Sequence, residues 1–265
     1  EKTMLLNFEL QDSTGIGKVK NQLGHIAWYQ SRPMEARQLY IDAIQIHKKH
    51  GNKQELGKSM NNLANLYTRW GDYESAIALF LTALDAYIES GFREGVAWLQ
   101  YSMSLMYKRV GEYEQSLNYI KKSLRIYEQM ARENGDSSGV RICYSQLGFL
   151  YTHHLDSLDL ALDYQLKALD LARKVGIKNV SADGYTGVGH VYYRMNENDS
   201  AKKYIGESLR LRRESGVESG IASNLKFLGY IEAEEKNYRR AAKYYDDAIE
   251  LARRLNNNTV RMDVF

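Results

Sequence analysis

The sequence predicts an all-α fold, a solenoid of antiparallel helix hairpins, on three observations. Between Gly57 and Leu84 the apolar residues Met60, Leu63, Ala64, Tyr67 and Trp70 recur at three- and four-residue steps, and after Gly71 and Asp72 the spacing resumes with Tyr73, Ala76, Ile77, Phe80, Ala83, Leu84 and Tyr87. Each run gives one helix an apolar stripe, and two stripes joined by a short turn pair as a hairpin. The pattern then recurs along the chain. Its small first-helix position reads Gly24, Ala64, Ser104, Gly148, Gly189 and Gly229, at steps of 40, 40, 44, 41 and 40. The second helix keeps the count at Ala36, Ala76, Ser116, Ala161, Ala201 and Ala241, and again at Ala43, Ala83, Ser123, Ala168, Ser208 and Ala248. Small side chains at these places let two helix axes approach, and a fixed period of this length marks hairpins that bury their remaining apolar surface on their neighbours. Third, each second helix is followed by a residue suited to the left-handed closing conformation: Gly51, Gly91, Gly135, Gly176, Gly216 and Asn256.

In chain order, residues 1–15 match the end of a second helix, since T-M-L-L-N-F-E-L from Thr3 toward Gln11 aligns with Ala83 to Ser90. Six repeats follow at 16–51, 52–91, 92–135, 136–176, 177–216 and 217–256, and 257–265, from Thr259 to Phe265, begins a further helix. First helices are expected from Gly17 to Gln30, Gln54 to Trp70, Glu94 to Val110, Ser138 to His154, Val180 to Met195 and Ser219 to Glu235. Pro33, the only proline, falls in the first turn of a second helix, where a missing N–H is harmless. Neither end carries the polar outer face of a terminal repeat, so both read as cut and the chain as a piece of a longer protein. Two insertions interrupt the period, Arg132 to Gly139 and Thr152 to Asp159, and are expected as loops or bends decorating one face.

Leu63, Ala64, Tyr67, Gly71, Tyr73, Ala76, Phe80 and Ala83 carry a family resemblance over the whole chain: the pattern is similar to the tetratricopeptide repeat. The period near 40 and the lack of a closing proline resemble the longer-helix subclass of bacterial sensor and regulator regions, Rap/PlcR-type receptors, kinesin light chains and LGN-type adaptors. The resemblance implies a right-handed superhelix of about six antiparallel helix pairs with partial terminal repeats. It also implies a concave groove, lined by the first helices, that holds an extended peptide or a partner helix.

Composition narrows the function. A net charge of +3 lacks the concentrated basic stripe expected of nucleic-acid binding. No apolar run is long enough to span a membrane, and no signal-peptide pattern is present. The single cysteine, Cys143, lies near the apolar face of a first helix and reads as a buried thiol that says nothing about compartment, leaving cytoplasm and periplasm both open. His153, His154 and Asp156 offer a metal or enzymatic alternative at the second insertion, but adjacent histidines on a helix end point about 100° apart. His25 and His190 occupy equivalent positions too many repeats apart to share an ion. Gly15, Gly17 and Lys18, like Gly184, Gly187 and Gly189, fail the nucleotide-loop spacings. Asn179, Asn198 and Asn257 begin Asn-x-Ser/Thr triplets at places where helix starts use the same residues. No catalytic residue, metal or cofactor is expected; any catalytic activity would belong to a domain outside this fragment.

Half a turn from the apolar stripe, the first helices present Lys58, Asn61, Asn65, Thr68 and Arg69, with Lys18, Asn21, His25, Trp28 and Tyr29 and then Trp98, Tyr101, Leu105, Lys108 and Arg109 at matching positions. Farther on, Phe149, Tyr193, Arg194 and Tyr230 fall on the same face, as recognition residues or as packing between first helices. Aromatics and arginine dominate recognition surfaces. Asn61, Asn62 and Asn65 offer amides that can pair with a ligand backbone, and Lys58, Arg69, Lys108 and Arg109 can hold a carboxylate. The expected site is therefore Lys58, Asn61, Asn62, Asn65, Arg69, Trp98, Tyr101, Lys108, Arg109, Tyr193 and Arg194, and the expected partner is a peptide or protein segment. The resemblance makes the role the sensory or regulatory part of a larger bacterial signalling protein, or alternatively an adaptor of the kinesin light chain or LGN kind. Oligomeric state is left open.

Overall fold

The computed structural model describes residues 13–255. Expectations placed on Thr3 to Gln11, Asn256, Asn257 and Thr259 to Phe265 lie outside them. The described residues form twelve α-helices and no strand: α1 Ser13–Tyr29, α2 Pro33–Lys49, α3 Lys53–Trp70, α4 Tyr73–Glu89, α5 Arg93–Val110, α6 Tyr113–Asn134, α7 Ser138–His153, α8 Leu158–Val175, α9 Lys178–Arg194, α10 Asn198–Ser215, α11 Glu218–Glu234 and α12 Tyr238–Arg254. The first helices start and stop within a few residues of where the apolar spacing put them. The fold is an all-α solenoid of adjacent helix pairs. Two compact units, divided between Gly135 and Asp136, hold three hairpins each.

Local chemistry ends each helix. Asn52 and Asp72 precede α3 and α4, and their side chains accept the N–H of Glu55 and of Ser75, each at 3.1 Å. Gly51, Gly91, Gly135, Gly176 and Gly216 close the second helices with φ between 68° and 78°. Inside the hairpins the turn also needs one left-handed residue. Gly71 and Gly111 supply it in α3/α4 and α5/α6, whereas Ser31, Asp156, Asn196 and Lys236 adopt it at φ 57°, 43°, 61° and 64°.

The small positions act as notches for large side chains. A Cβ on Gly24 would stand 2.5 Å from the Tyr40 ring, and one on Gly189 would stand 2.8 Å from Ile205. Phe80 is fully buried beside Ala64, Ala76 and Ala83. A second notch lies near the end of the second helix. Tyr87 sits against Gly57 of its own hairpin and Gly95 of the next, and a Cβ at Gly57 would come within 2.6 Å of its ring. The same repeat position holds His47 and Tyr127 in the first unit and Ala172, Arg212 and Ala252 in the second, all buried. Arg212 presses on Gly220 as Tyr87 presses on Gly95.

Two expectations change. The insertion at Arg132 to Gly139 is only partly a loop, because α6 runs on to Asn134 and, at 22 residues, absorbs the extra length as helix. Trp70, placed in the hairpin stripe by its spacing, is 41% exposed at the end of α3, where the Tyr67 ring meets it edge-on at 5.7 Å. Cys143 is buried. No helix among the described residues is long and apolar enough to cross a membrane.

Candidate functional site

In the first unit, the faces of α1, α3 and α5 opposite the hairpin cores line an open groove of about 820 Å³. Lys58, Asn61, Asn62, Asn65, Arg69, Trp98, Tyr101, Lys108 and Arg109 all border it, with Asn21, His25, Trp28 and Tyr29 from α1. The sequence reading missed its floor, where Tyr40, Leu66, Ser102 and Met106 border the groove together with Tyr87, which the spacing put in the hairpin stripe. The notches opposite Gly24 and Gly57 are the sequence feature that aims Tyr40 and Tyr87 there.

The amides are not equivalent. Asn62 donates through Nδ2 to Asn21 Oδ1 at 3.0 Å, tying α3 to α1. Asn61, expected as an open groove amide, is instead only 2% exposed. The reason is the seam between neighbouring first helices: the matching position on α1 is Asn21, which meets α3. Asn61 Oδ1 nonetheless finds no hydrogen-bond partner among the described residues, and a buried acceptor left so is costly until a donor arrives. Thr68 is also buried, and its hydroxyl donates to the Ala64 carbonyl at 2.9 Å. Asn65 is partly exposed and borders the groove.

Charge is one-sided. The lining holds four cations, Lys58, Arg69, Lys108 and Arg109, and no carboxylate. Lys58 pairs with Glu55 at 2.9 Å and lies 5.4 Å from the centroid of the Phe92 ring. Arg69 stands over the Trp28 ring, 4.9 Å from its centroid. Burial and the neighbouring Arg109 charge hold the Lys108 ammonium below its ordinary range. Trp98 and Tyr101 stack at 5.4 Å, and Trp98 remains 44% exposed.

Tyr193 and Arg194 belong to the second unit, where both make contacts of their own. Tyr193 donates its hydroxyl to Glu234 at 2.7 Å and sets its ring edge-on to Phe227 and Tyr230. Burial, followed by hydrogen bonding with Tyr230 and Glu234, raises its pKa. Arg194 reaches Asp156 at 3.5 Å. His190 stacks flat on Phe227 at 4.2 Å, and burial, with the nearby His153, pushes its pKa down to about 4. His153 and His154 both pack on Phe149, with ring centroids at 4.4 and 5.9 Å. No group of three His, Cys, Asp or Glu side chains able to hold a metal occurs among the described residues.

The family model for the tetratricopeptide repeat matches residues 16–89, 71–129 and 140–214. No curated protein matches the chain in sequence. Among solved structures, the apo form of RapI is similar with a TM-score of 0.69 at 15% identity over 96% of each chain. A Rap protein complexed with competence and sporulation factor gives 0.67 at 16% identity, over 98% of this chain and 77% of that one. A signal-transduction ATPase with numerous domains and a tetratricopeptide repeat sensor, from Pyrococcus horikoshii, gives 0.70 at 17% identity, over 94% of this chain and 37% of that longer one. At these identities the similarity is one of fold.

Proposed function

We propose that this chain, which belongs to the tetratricopeptide repeat family, is a non-catalytic recognition module that holds an extended peptide or protein segment in the groove of its first unit. The observation that carries this reading is the make-up of the groove. A buried acceptor, Asn61 Oδ1, has no partner among the described residues, Trp98 of the stacked pair Trp98 and Tyr101 remains 44% exposed, and the lining holds four cations and no carboxylate. A strand-like segment offers what is missing, main-chain N–H groups for the amides and side chains for the aromatic face. The nine groove residues are the proposed contacts; Tyr193 and Arg194, already engaged within the second unit, are not. The fold similarity to a Rap protein complexed with competence and sporulation factor and to a signal-transduction ATPase with a tetratricopeptide repeat sensor supports a sensory or regulatory role for the module.

The test is binding by peptides selected from a display library against the full chain. Asn65→Ala should weaken a selected peptide by ~1 to 3 kcal/mol, because the ligand group it served is left unsatisfied. The melting temperature should hardly move, since a partly exposed amide adds little to folding. Selected peptides that bind Asn65→Ala and Trp98→Ala as tightly as the parent chain would remove the groove from consideration.

A further inference from the structure

We propose that Tyr192 and Tyr204 form an oxidative modification site, at which a peroxide-driven one-electron oxidant joins the two rings and so ties α9 to α10. The pair belongs to a recurring arrangement. Tyr107 and Tyr119, Tyr151 and Tyr164, and Tyr192 and Tyr204 hold the same two repeat positions, three residues past the small residue of each helix. Their rings stack at centroid distances of 5.2, 5.8 and 5.3 Å, with planes 7°, 3° and 28° apart. All six are half-buried, so a small oxidant reaches them from solvent. Hydrogen bonding with the partner phenol is, behind burial, among the causes that raise the pKa of Tyr119 and of Tyr192, so in those two pairs the hydroxyls meet. The Cε carbons beside the hydroxyls then lie close together, and those are the carbons at which phenoxyl radicals couple.

Each phenol gives up one electron and its hydroxyl proton, leaving a pair of neutral phenoxyl radicals. A Cε–Cε bond forms between them, and the hydrogen on each of those carbons passes to an oxygen as the rings regain aromaticity. The net change is loss of one ring hydrogen from each tyrosine and gain of the bond between them; the electrons and protons released reduce one hydrogen peroxide to two waters. The product joins residues 12 apart, on the two arms of one hairpin. The chain holds a single cysteine, so no disulfide within it can make such a tie.

Charge singles out the third pair. Lys122 Nζ stands over the Tyr119 ring, 4.9 Å from its centroid, and Lys167 Nζ over Tyr164 at 5.6 Å. A cation held on a ring face opposes removal of an electron from that ring. Three residues past Tyr204, the position matching those lysines, stands Glu207. It pairs with Arg210 at 2.5 Å, so what it contributes is a ring without a lysine on it rather than a full negative charge. Glu197 supplies negative charge: it is one of the causes, behind burial and Tyr204, that raise the Tyr192 pKa. A nearby carboxylate stabilises an electron-poor ring.

The experiment treats the full chain, at a low concentration that favours links within one molecule, with hydrogen peroxide and a haem peroxidase. Dityrosine fluorescence follows the reaction, and mass spectrometry of the digested product identifies the joined peptides. The link between Tyr192 and Tyr204 should form about fivefold faster than a link in either other pair, the factor that about 1 kcal/mol of cation–π contact supplies. Tyr204→Phe keeps the ring and should abolish that link while leaving the helical circular dichroism unchanged. Glu207→Lys should slow it to the rate of the other pairs, and Lys167→Gln should speed the link between Tyr151 and Tyr164. The linked chain should melt at a higher temperature, since the tie restricts the unfolded state. Tyr185, whose ring lies 6.0 Å from that of Tyr204, is the internal competitor. Joined peptides that connect chiefly Tyr185 to Tyr204, or two separate molecules, would overturn the assignment, and so would the formation of no link. Equal rates in all three pairs, unchanged by Glu207→Lys, would overturn the part given to charge.

Discussion

The two units answer the same structural question with different side chains. On the groove face, a 41-residue step joins Trp28 to Arg69 in the first unit and Tyr193 to Glu234 in the second. The first pairing leaves a charged fork exposed, whereas the second is a finished hydrogen bond. In the hairpin interior, the position near the end of the second helix is His47, Tyr87 and Tyr127 in one unit and Ala172, Arg212 and Ala252 in the other. Arg212 there is tied to Asp183 at 2.9 Å, within a cluster that includes Thr186, Ser208 and Asn224. At this one position the first unit buries three rings, while the second buries two alanines and an arginine that is tied into a polar cluster. Repeats alike in pattern need not be alike in what they leave unsatisfied.

The largest test of this contrast is at the interior position. Tyr87→Ala should cost about 3 to 5 kcal/mol, the range for truncating a buried aromatic. Arg212→Met should stay within about 1 kcal/mol of the parent, because Asp183 is solvated enough to stand alone and a flexible apolar chain fills the space. Denaturant midpoints that fall equally for both would erase the distinction between the interiors.

Acid provides the next test. The unfolded imidazole of His190 titrates near 6.5 and the folded one near 4. Between these values the unfolded chain binds the extra proton, so this contribution is full above pH 6.5 and is lost as pH falls toward 4. It amounts to roughly 3 kcal/mol at most. His190→Phe should flatten stability across that window relative to the parent chain. The equivalent change at His25, which faces the groove and whose pKa burial also lowers, should do so less. Equal acid sensitivity in parent and His190→Phe would sink the assignment.

Smaller effects remain. Tyr193→Phe removes the bond to Glu234 and should lower stability by about 1 kcal/mol while leaving peptide binding in the first unit unchanged. A loss of binding would mean that the second unit contributes to the site. Lys236→Gly relieves a left-handed backbone at φ 64° and should raise stability by about 0.5 kcal/mol, since the relief exceeds glycine's own entropy penalty only modestly. Gly111→Ala, at φ 90°, should lower it by about 1 kcal/mol, and opposite signs in thermal melts are the readout.

Much of this was legible because helical repeats convert one-dimensional spacing directly into faces. The recurrence of Ala64 and Ala76 located the hairpins, and half a turn from that stripe lay Lys58, Asn65 and Arg69, which do border the groove. What spacing could not supply was the partner of each side chain. Asn61 looked like Asn65 in sequence, yet the seam to the next first helix buries it. Tyr193 looked like Trp98, yet Glu234 and two neighbouring rings engage it. Arg132 to Gly139 has a loop-like composition from Asn134 onward, but the helix-favouring stretch before it extends α6 through its first turn. These outcomes depend on residues about 40 positions away, or on helix continuation across an insertion, and a periodic pattern is blind to both.

The paired glycines around Tyr87 bear on how such a chain can change over generations. Its ring needs Gly57 behind it and Gly95 ahead, on a hairpin that the ring's own repeat does not encode. A duplication or exchange that copies a single hairpin therefore carries the knob without its forward socket, and inserts it against whatever stands two residues past the next helix start. Arg212 and Gly220 face the same restriction. Growth or shuffling of this array is expected in blocks whose borders fall where the closing side chain is small, as at Ala172, and selection on joints rather than on hairpins would set which copies survive.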